Sequence, residues 1–123
     1  MKQVVCENAL KPKYSYSQAI ISNNMVYVCG QVPFNPKTNK VECEGIEGQT
    51  RQALDNLKST LESAGTSLDK VVKVNIFLSN LIDDFQKFTE VYKSYFKEPF
   101  PARTTVGCTL NGFLLEIDAI AEL

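Results

Sequence analysis

VVKVNIFLSNLIDDFQKFTEVYKSYF, residues 71–96, changes periodicity partway along. Val71 to Leu78 is β-branched, apolar or aromatic and predicts a strand, with Val72, Val74, Ile76 and Leu78 on one face and Val71, Lys73, Asn75 and Phe77 on the other. Asp83 and Asp84 then offer a cap and first-turn charge for a helix. On it Phe85, Phe88, Tyr92 and Tyr95 or Phe96 form an aromatic stripe, read as core packing rather than a cofactor box. Pro99 and Pro101 end this helix, and a new strand begins at Arg103.

Upstream, Ala53, Leu54, Leu57, Leu61 and Ala64 recur at three- and four-residue steps, which predicts an amphipathic helix over Gly48–Ala64 with Gly65 as its C-cap. Before it, Gln18–Ser22 and Met25–Gly30 flank Asn23-Asn24, a hairpin signal. Phe34–Gly45 is rich in turn formers and reads mainly as loop, with Lys40–Cys43 as a short edge strand. Downstream, Arg103–Thr109 and Leu114–Ala121 read as two strands of a hairpin about Asn111-Gly112.

Strand, strand, helix, strand, helix, strand, strand, joined by right-handed crossovers, places both helices on one side of one sheet. The expectation is an α+β two-layer sandwich forming one domain over residues 1–123. Val71, Phe77, Leu114 and Ile120 then put apolar groups on the bare face, which calls for cover by another copy of the chain.

Composition narrows the chemistry. The chain has no histidine, which excludes Ser-His-Asp and Cys-His nucleophiles, HExxH sites and two-histidine zinc sites. Thirteen basic residues against 14 acidic ones give a net charge of −1, without the basic footprint of a nucleic-acid binder. Cys6, Cys29, Cys43 and Cys108 have no CxxC spacing and follow no apolar leader, so they read as reduced, structural thiols of a cytoplasmic protein. No apolar run approaches the roughly 20 residues of a membrane helix, and no metal set is apparent.

Four places could carry chemistry. Arg103, launched from Phe100-Pro101-Ala102, could clamp a carboxylate, or could simply be solvated or paired with an acid. Glu116 projects from a face that otherwise carries apolar groups, where desolvation would raise its pKa; Asp118 shares the parity and competes, and both could be ordinary outward-facing acids. Cys29-Gly30-Gln31 is either a strand end or bulge, or a place of close approach. Tyr16 offers a phenol near the mouth of the first hairpin, or plain packing.

Taken in order, Tyr16-Ser17-Gln18-Ala19, Gly30-Gln31-Val32-Pro33, Gln49-Thr50 with Asn56-Leu57, Val72-Lys73, Asp84-Phe85, Val91-Tyr92, Tyr95-Phe96, Pro101-Ala102-Arg103 and Glu116-Ile117 with Ala119 resemble the Rid family, also called YjgF-type or endoribonuclease L-PSP proteins. The resemblance runs from about residue 14 to residue 121. It implies a chorismate-mutase-like fold, a homotrimeric barrel with helices outside, and three clefts between subunits. It further implies cofactor-free hydrolysis of 2-imino acids, in equilibrium with enamines, to 2-oxo acids and ammonia. Residue by residue, Arg103 matches the group that grips the substrate carboxylate and Glu116 the acid that positions water. Tyr16, Cys29, Gly30 and Thr105 fall at substrate-binding positions of the cleft.

The chain departs from the family pattern with Tyr14-Ser15 for Gly-Pro, Cys29 for serine, Thr89 for asparagine and Thr105 for cysteine, and a segment about two residues shorter before Glu116. The competing functions are an RNA-cleaving translation inhibitor, which the charge balance disfavours, and a module that binds small carboxylates without turnover.

Overall fold

The computed structural model describes residues 1–123. Eight strands and two α-helices follow in the order β1 (Lys2–Val4), β2 (Ala19–Ser22), β3 (Met25–Gln31), β4 (Phe34–Asn35), β5 (Lys40–Val41), α1 (Ile46–Ser63), β6 (Val71–Leu78), α2 (Leu81–Tyr95), β7 (Ala102–Gly107) and β8 (Leu115–Glu122). Six strands make one mixed sheet in the order β1-β2-β3-β8-β6-β7, and β4 pairs with β5 as a separate small hairpin. Both helices cover one face of the large sheet, giving the α+β two-layer sandwich expected.

Local chemistry explains most boundaries. Asn23 and Asn24 both have positive φ, 50° and 65°, as the tight β2–β3 turn requires. Gly65, at φ 90°, closes α1 in a Schellman motif: its N–H donates to the Glu62 carbonyl, and that of Thr66 to the Leu61 carbonyl. Helix α2 starts after Asn80, earlier than Asp83 and Asp84 suggested; those acids occupy the first turn, where the exposed amides favour negative charge. Strand β1, in the N-terminal segment for which the sequence pattern predicts no element, adds an edge to β2.

The hairpin expected about Asn111-Gly112 does not form. β7 pairs parallel with β6, whereas β8 pairs antiparallel with both β3 and β6 and never with β7. Because β3 and β6 both run antiparallel to β8, they are parallel to one another and leave a one-strand gap. Filling that gap satisfies two rows of backbone groups at once, against one row for an outer hairpin on β7. The Cys108–Leu114 segment therefore crosses the end of β6, with Gly112 at φ 88°.

Strict alternation also fails at the start of β6. Val71 pairs with Ala121 and Lys73 with Ile120, so Val72 is an extra, bulged residue. Val71 consequently sits in the core, 7% exposed, and Val72 points away from it, 39% exposed, the reverse of the sequence parity. Leu114, ahead of β8, packs against the core rather than on the bare face, while Phe77 and Ile120 remain on that face with Tyr27. The core comprises Leu54, Leu57 and Leu61 of α1, Phe88 and Tyr92 of α2, and Val26, Val74, Ile76, Leu78, Leu115 and Ile117 of the sheet.

The bulge yields a paired prediction. Val71→Ala lowers unfolding free energy by about 2 kcal/mol, through lost burial and a residual cavity. Val72→Ala changes it by less than about 0.5 kcal/mol. Urea denaturation of both variants measures the difference, and equal effects would mean uninterrupted alternation.

Candidate active site

The candidate residues form two groups on opposite faces of the sheet. Arg103 pairs across β7–β6 with Val74 and Thr105 with Ile76, so both lie on the helix-covered face. Glu116 pairs with Phe77 on the bare face. The chain therefore brings Arg103 together with Thr105, and Glu116 together with Tyr16, Cys29 and Gly30, but does not bring the two groups together.

In the first group α2 supplies a cradle. The Arg103 guanidinium carbon lies 4.8 Å from the Tyr92 ring centroid, 5.3 Å from that of Phe88 and 5.4 Å from that of Phe85. Its Nε donates to Thr105 Oγ1 and its Nη2 to Thr89 Oγ1, both at 2.9 Å. No carboxylate pairs with it: the chain's ion pairs are Lys11–Glu7 and Lys97–Asp69. Burial holds its pKa below the usual arginine range, opposed by Tyr92, and the guanidinium stays charged. Since the neutral threonines engage only Nε and Nη2, Nη1 and the second Nη2 proton are left to grip a carboxylate end-on. Thr89, Tyr92, Lys93, Phe100 and Pro101 complete a cleft of ≈ 270 Å³ beside it.

The aromatic stripe thus does more than pack. Phe88 and Tyr92 are buried core residues, yet together with half-exposed Phe85 they present ring faces to the arginine. The legible signal was topological: a helix linking two parallel strands packs back over the sheet they form, so its apolar stripe can face an inward side chain at the start of the second strand.

The second group is built by a bulge in β3. Val28 pairs with Ala119 and Gln31 with Ile117, so Cys29 and Gly30 together oppose Asp118. The strand continues to Gln31 instead of ending at Gly30, and a Cβ at Gly30 would collide with the Glu116 carboxylate. Bulge and close approach, weighed above as alternatives, are both present. Asn75 Nδ2 donates to Asp118 Oδ1 at 3.0 Å, whereas Glu116 makes no hydrogen bond or ion pair within the chain, which separates the two competing acids. Burial, then Asp118, pushes the Glu116 carboxyl above the ordinary carboxylate range.

Burial, then Glu116, pushes the Cys29 thiol up to about 11, and Gln31 Nε2 donates to its sulfur at 3.4 Å. Tyr16 is 52% exposed, and its phenol is raised by burial and by Cys29, Glu116 and Tyr14. All four cysteines are free, but only Cys6 is buried; Cys108 is exposed, which corrects the reading of them all as buried structural thiols. No group of Cys, Asp and Glu side chains converges to hold a metal ion, and no helix is long and apolar enough to cross a membrane.

Buried amides, which the sequence reading did not single out for a role, hold this second group. Gln18 Nε2 donates to the Cys6 and Leu10 carbonyls and its Oε1 accepts from Cys6 N–H, tying down the segment that carries Tyr16. Asn56 Nδ2 donates to the Val32 and Phe34 carbonyls, just past the bulge. Their signal was an amide on an apolar helix face or beside a strand, where burial demands partners.

The endoribonuclease L-PSP family matches residues 6–123. A RutC family protein of Pyrococcus horikoshii is 46% identical over 124 residues, 98% of each chain. A 2-iminobutanoate/2-iminopropanoate deaminase of Dermatophagoides farinae is 42% identical over 99 residues, 80% of this chain and 77% of that protein. Among solved structures, E. coli TdcF with bound serine superposes with a TM-score of 0.92 at 30% identity, covering 100% of this chain and 99% of that one.

Thiol chemistry tests the geometry of the second group. With limiting iodoacetamide at pH 8, mass spectrometry should find Cys108 alkylated well before Cys29, whose thiolate is scarce below about 11. Glu116→Gln removes one of the charges that raise Cys29 and should speed alkylation at that position. An unchanged Cys29 rate in the variant would separate the two side chains.

Proposed function

The chain belongs to the endoribonuclease L-PSP family, whose members are also called Rid or YjgF proteins, and on that premise we propose that it hydrolyses reactive 2-imino acids, with their enamine tautomers, to 2-oxo acids and ammonia. The observation that carries this reading is Arg103, a guanidinium fixed on neutral partners with no acid of its own chain to neutralise it. A site that holds a half-buried cation unpaired is suited to an anionic ligand, and every 2-imino acid has a carboxylate next to its C=N carbon. A relative named 2-iminobutanoate/2-iminopropanoate deaminase and a neighbour with bound serine support the same substrate class.

In the proposed mechanism Arg103 binds the substrate carboxylate and Glu116 orients a water molecule. The protonated imine is already electrophilic, so positioning and one proton acceptor suffice. Water oxygen bonds to the imine carbon, the C=N π pair moves to nitrogen, and Glu116 takes a proton from the water. Glu116 then returns that proton to the amine nitrogen of the tetrahedral intermediate. The C–N bond breaks with its electron pair leaving on ammonia, the hydroxyl oxygen forms the 2-oxo group, and its proton passes through Glu116 to the departing ammonia, which leaves as ammonium. A carboxyl held above its ordinary range is suited to both transfers. Tyr16, Cys29 and Gly30 line the water side of the cleft and Thr105 fixes the arginine.

Because Arg103 and Glu116 occupy opposite faces of one chain, the working site takes Arg103 from one subunit and Glu116 from its neighbour, in a homotrimer that covers Tyr27, Phe77 and Ile120. Capture of a small carboxylate without turnover is the second reading, favoured by the neighbour with bound serine.

The test generates 2-iminobutanoate with an amino acid oxidase and follows its loss with semicarbazide as competing trap. Glu116→Gln lowers the rate roughly 10²–10⁴-fold. Arg103→Ala abolishes saturation by substrate while gel filtration still reports the wild-type oligomer. Unfolding and co-refolding the two inactive variants restores roughly a quarter of wild-type activity, by random assortment of intact half-sites. Full activity in Arg103→Ala, or no recovery on mixing, would sink the shared cleft. Serine binding without any acceleration would leave the binding module.

A further inference from the structure

Gln49 lies in the first turns of α1, 5% exposed, and uses both ends of its amide. Its Nε2 donates to the Cys43 carbonyl at 2.8 Å and the Glu44 carbonyl at 3.3 Å, in the segment leading into α1. Its Oε1 accepts from the Leu114 N–H at 2.8 Å, 65 residues away in sequence. Leu114 immediately precedes β8, and Glu116 is two residues further on. The Leu114 carbonyl in turn accepts from Ser79 N–H at 3.0 Å, so both backbone groups of this residue are engaged.

We propose that Gln49 is a positioning residue for Glu116, setting the point at which the chain enters the gap between β3 and β6 and so the face on which the carboxylate emerges. In β8 the side chains alternate, with Leu115, Ile117, Ala119 and Ala121 buried and Glu116, Asp118 and Ile120 on the bare face. A slip of one residue at the start exchanges the two sets and drives Glu116 into the core. The seven-residue connection from Cys108 to Leu114 contains Gly112 at positive φ and has no hairpin to dictate a register, so the register needs an anchor from elsewhere. Gln49 supplies it from the most deeply packed helix. Asn56, two turns further along α1, holds the Val32 and Phe34 carbonyls beyond the Cys29-Gly30 bulge, and Phe34 meets Phe113 edge-on at 5.8 Å. One helix thus holds both the start of the strand that carries Glu116 and the chain just beyond the Gly30 bulge against which its carboxylate lies.

The inference rests on the reading of Glu116 as the acting acid, but its first readout does not need turnover. The groups facing Glu116 are Asp118 on β8, Cys29 on β3 and Tyr16 on the preceding segment, while β6 contributes uncharged Phe77 and Asn75. The carboxyl titration of Glu116, followed by ¹³C NMR, therefore reports its placement. Gln49→Met removes the acceptor for Leu114 N–H at similar volume, and should move that titration further up, as a carboxyl carried toward the core loses more of its solvent, and reduce kcat/KM roughly tenfold. Gln49→Glu keeps an acceptor for Leu114 N–H and should retain the wild-type titration. A lower Tm with an unmoved titration in Gln49→Met would make Gln49 merely structural and overturn the proposal. Should the Met variant not fold, a displaced titration in Gln49→Glu would overturn it equally. If the wild-type protein hydrolyses no imine while Gln49→Met still moves the Glu116 titration, the positioning stands and the imine reading falls.

Discussion

Strand β8 occupies the gap between β3 and β6, and most of the molecule depends on that insertion. It is the last strand in sequence, yet it lies in the interior of the sheet, hydrogen-bonded on both sides. Without it β3 and β6 would present unpaired edges toward each other, and the inward row of Leu115, Ile117, Ala119 and Ala121 would have no helices to meet. The β1-β2-β3 strands and the β6-β7 pair are joined into one sheet only by this strand. Placing Glu116 on it puts the candidate acid on the most constrained backbone of the fold, at the cost of tying its position to the register of the insertion.

The parts of this architecture governed by neighbours in sequence were legible beforehand. The β2–β3 turn follows from two adjacent asparagines that tolerate positive φ, α1 from its apolar spacing and its C-terminal glycine, and β6 from its β-branched run. What was not legible depends on partners far away in the chain. Asn111-Gly112 carries a real local preference for a tight turn, but two open strand edges offer more hydrogen bonds than a hairpin with β7, so the tertiary term prevails. Val71 and Val72 are chemically identical, and only the pairing with Ala121 and Ile120 decides which is bulged outward. The earlier start of α2 comes from Asn80, whose carbonyl accepts from Asp84 N–H, ahead of the more conspicuous aspartates.

The site divides along the same line. Arg103 and Glu116 could be singled out because each is a charged residue in an apolar or conformationally restricted setting, and the structure gives each the environment that makes it unusual: neutral hydroxyls and ring faces for one, a glycine surface and no hydrogen-bond donor for the other. Their separation onto opposite faces follows from the β6 register, through Val74 for Arg103 and Phe77 for Glu116, and no single-strand pattern could reveal it. The buried amides of Gln18, Gln49 and Asn56 stood in the same motifs as the chemical residues, and sequence does not distinguish a residue that touches ligand from one that holds the loop carrying it.

That separation has an electrostatic consequence. An arginine and a glutamate placed side by side in one chain would form an ion pair, which would hold the carboxyl below its ordinary range and occupy the guanidinium donors. Neither would then be free to act. Within one chain the thickness of a sheet keeps them apart, so Glu116 is raised by burial and by Asp118 and Arg103 keeps Nη1 unengaged; in the proposed shared cleft the substrate carboxylate takes up that guanidinium. Both conditions oppose stability, since a desolvated charge without a partner is costly to fold. The fold tolerates them because neither group is fully buried: Thr89 and Thr105 brace the guanidinium, while the amide of Asn75 engages Asp118 and leaves Glu116 open. A ligand bringing its own carboxylate to Arg103 would relieve the cost carried there, so the proposed site would convert that cost into selectivity for an anion.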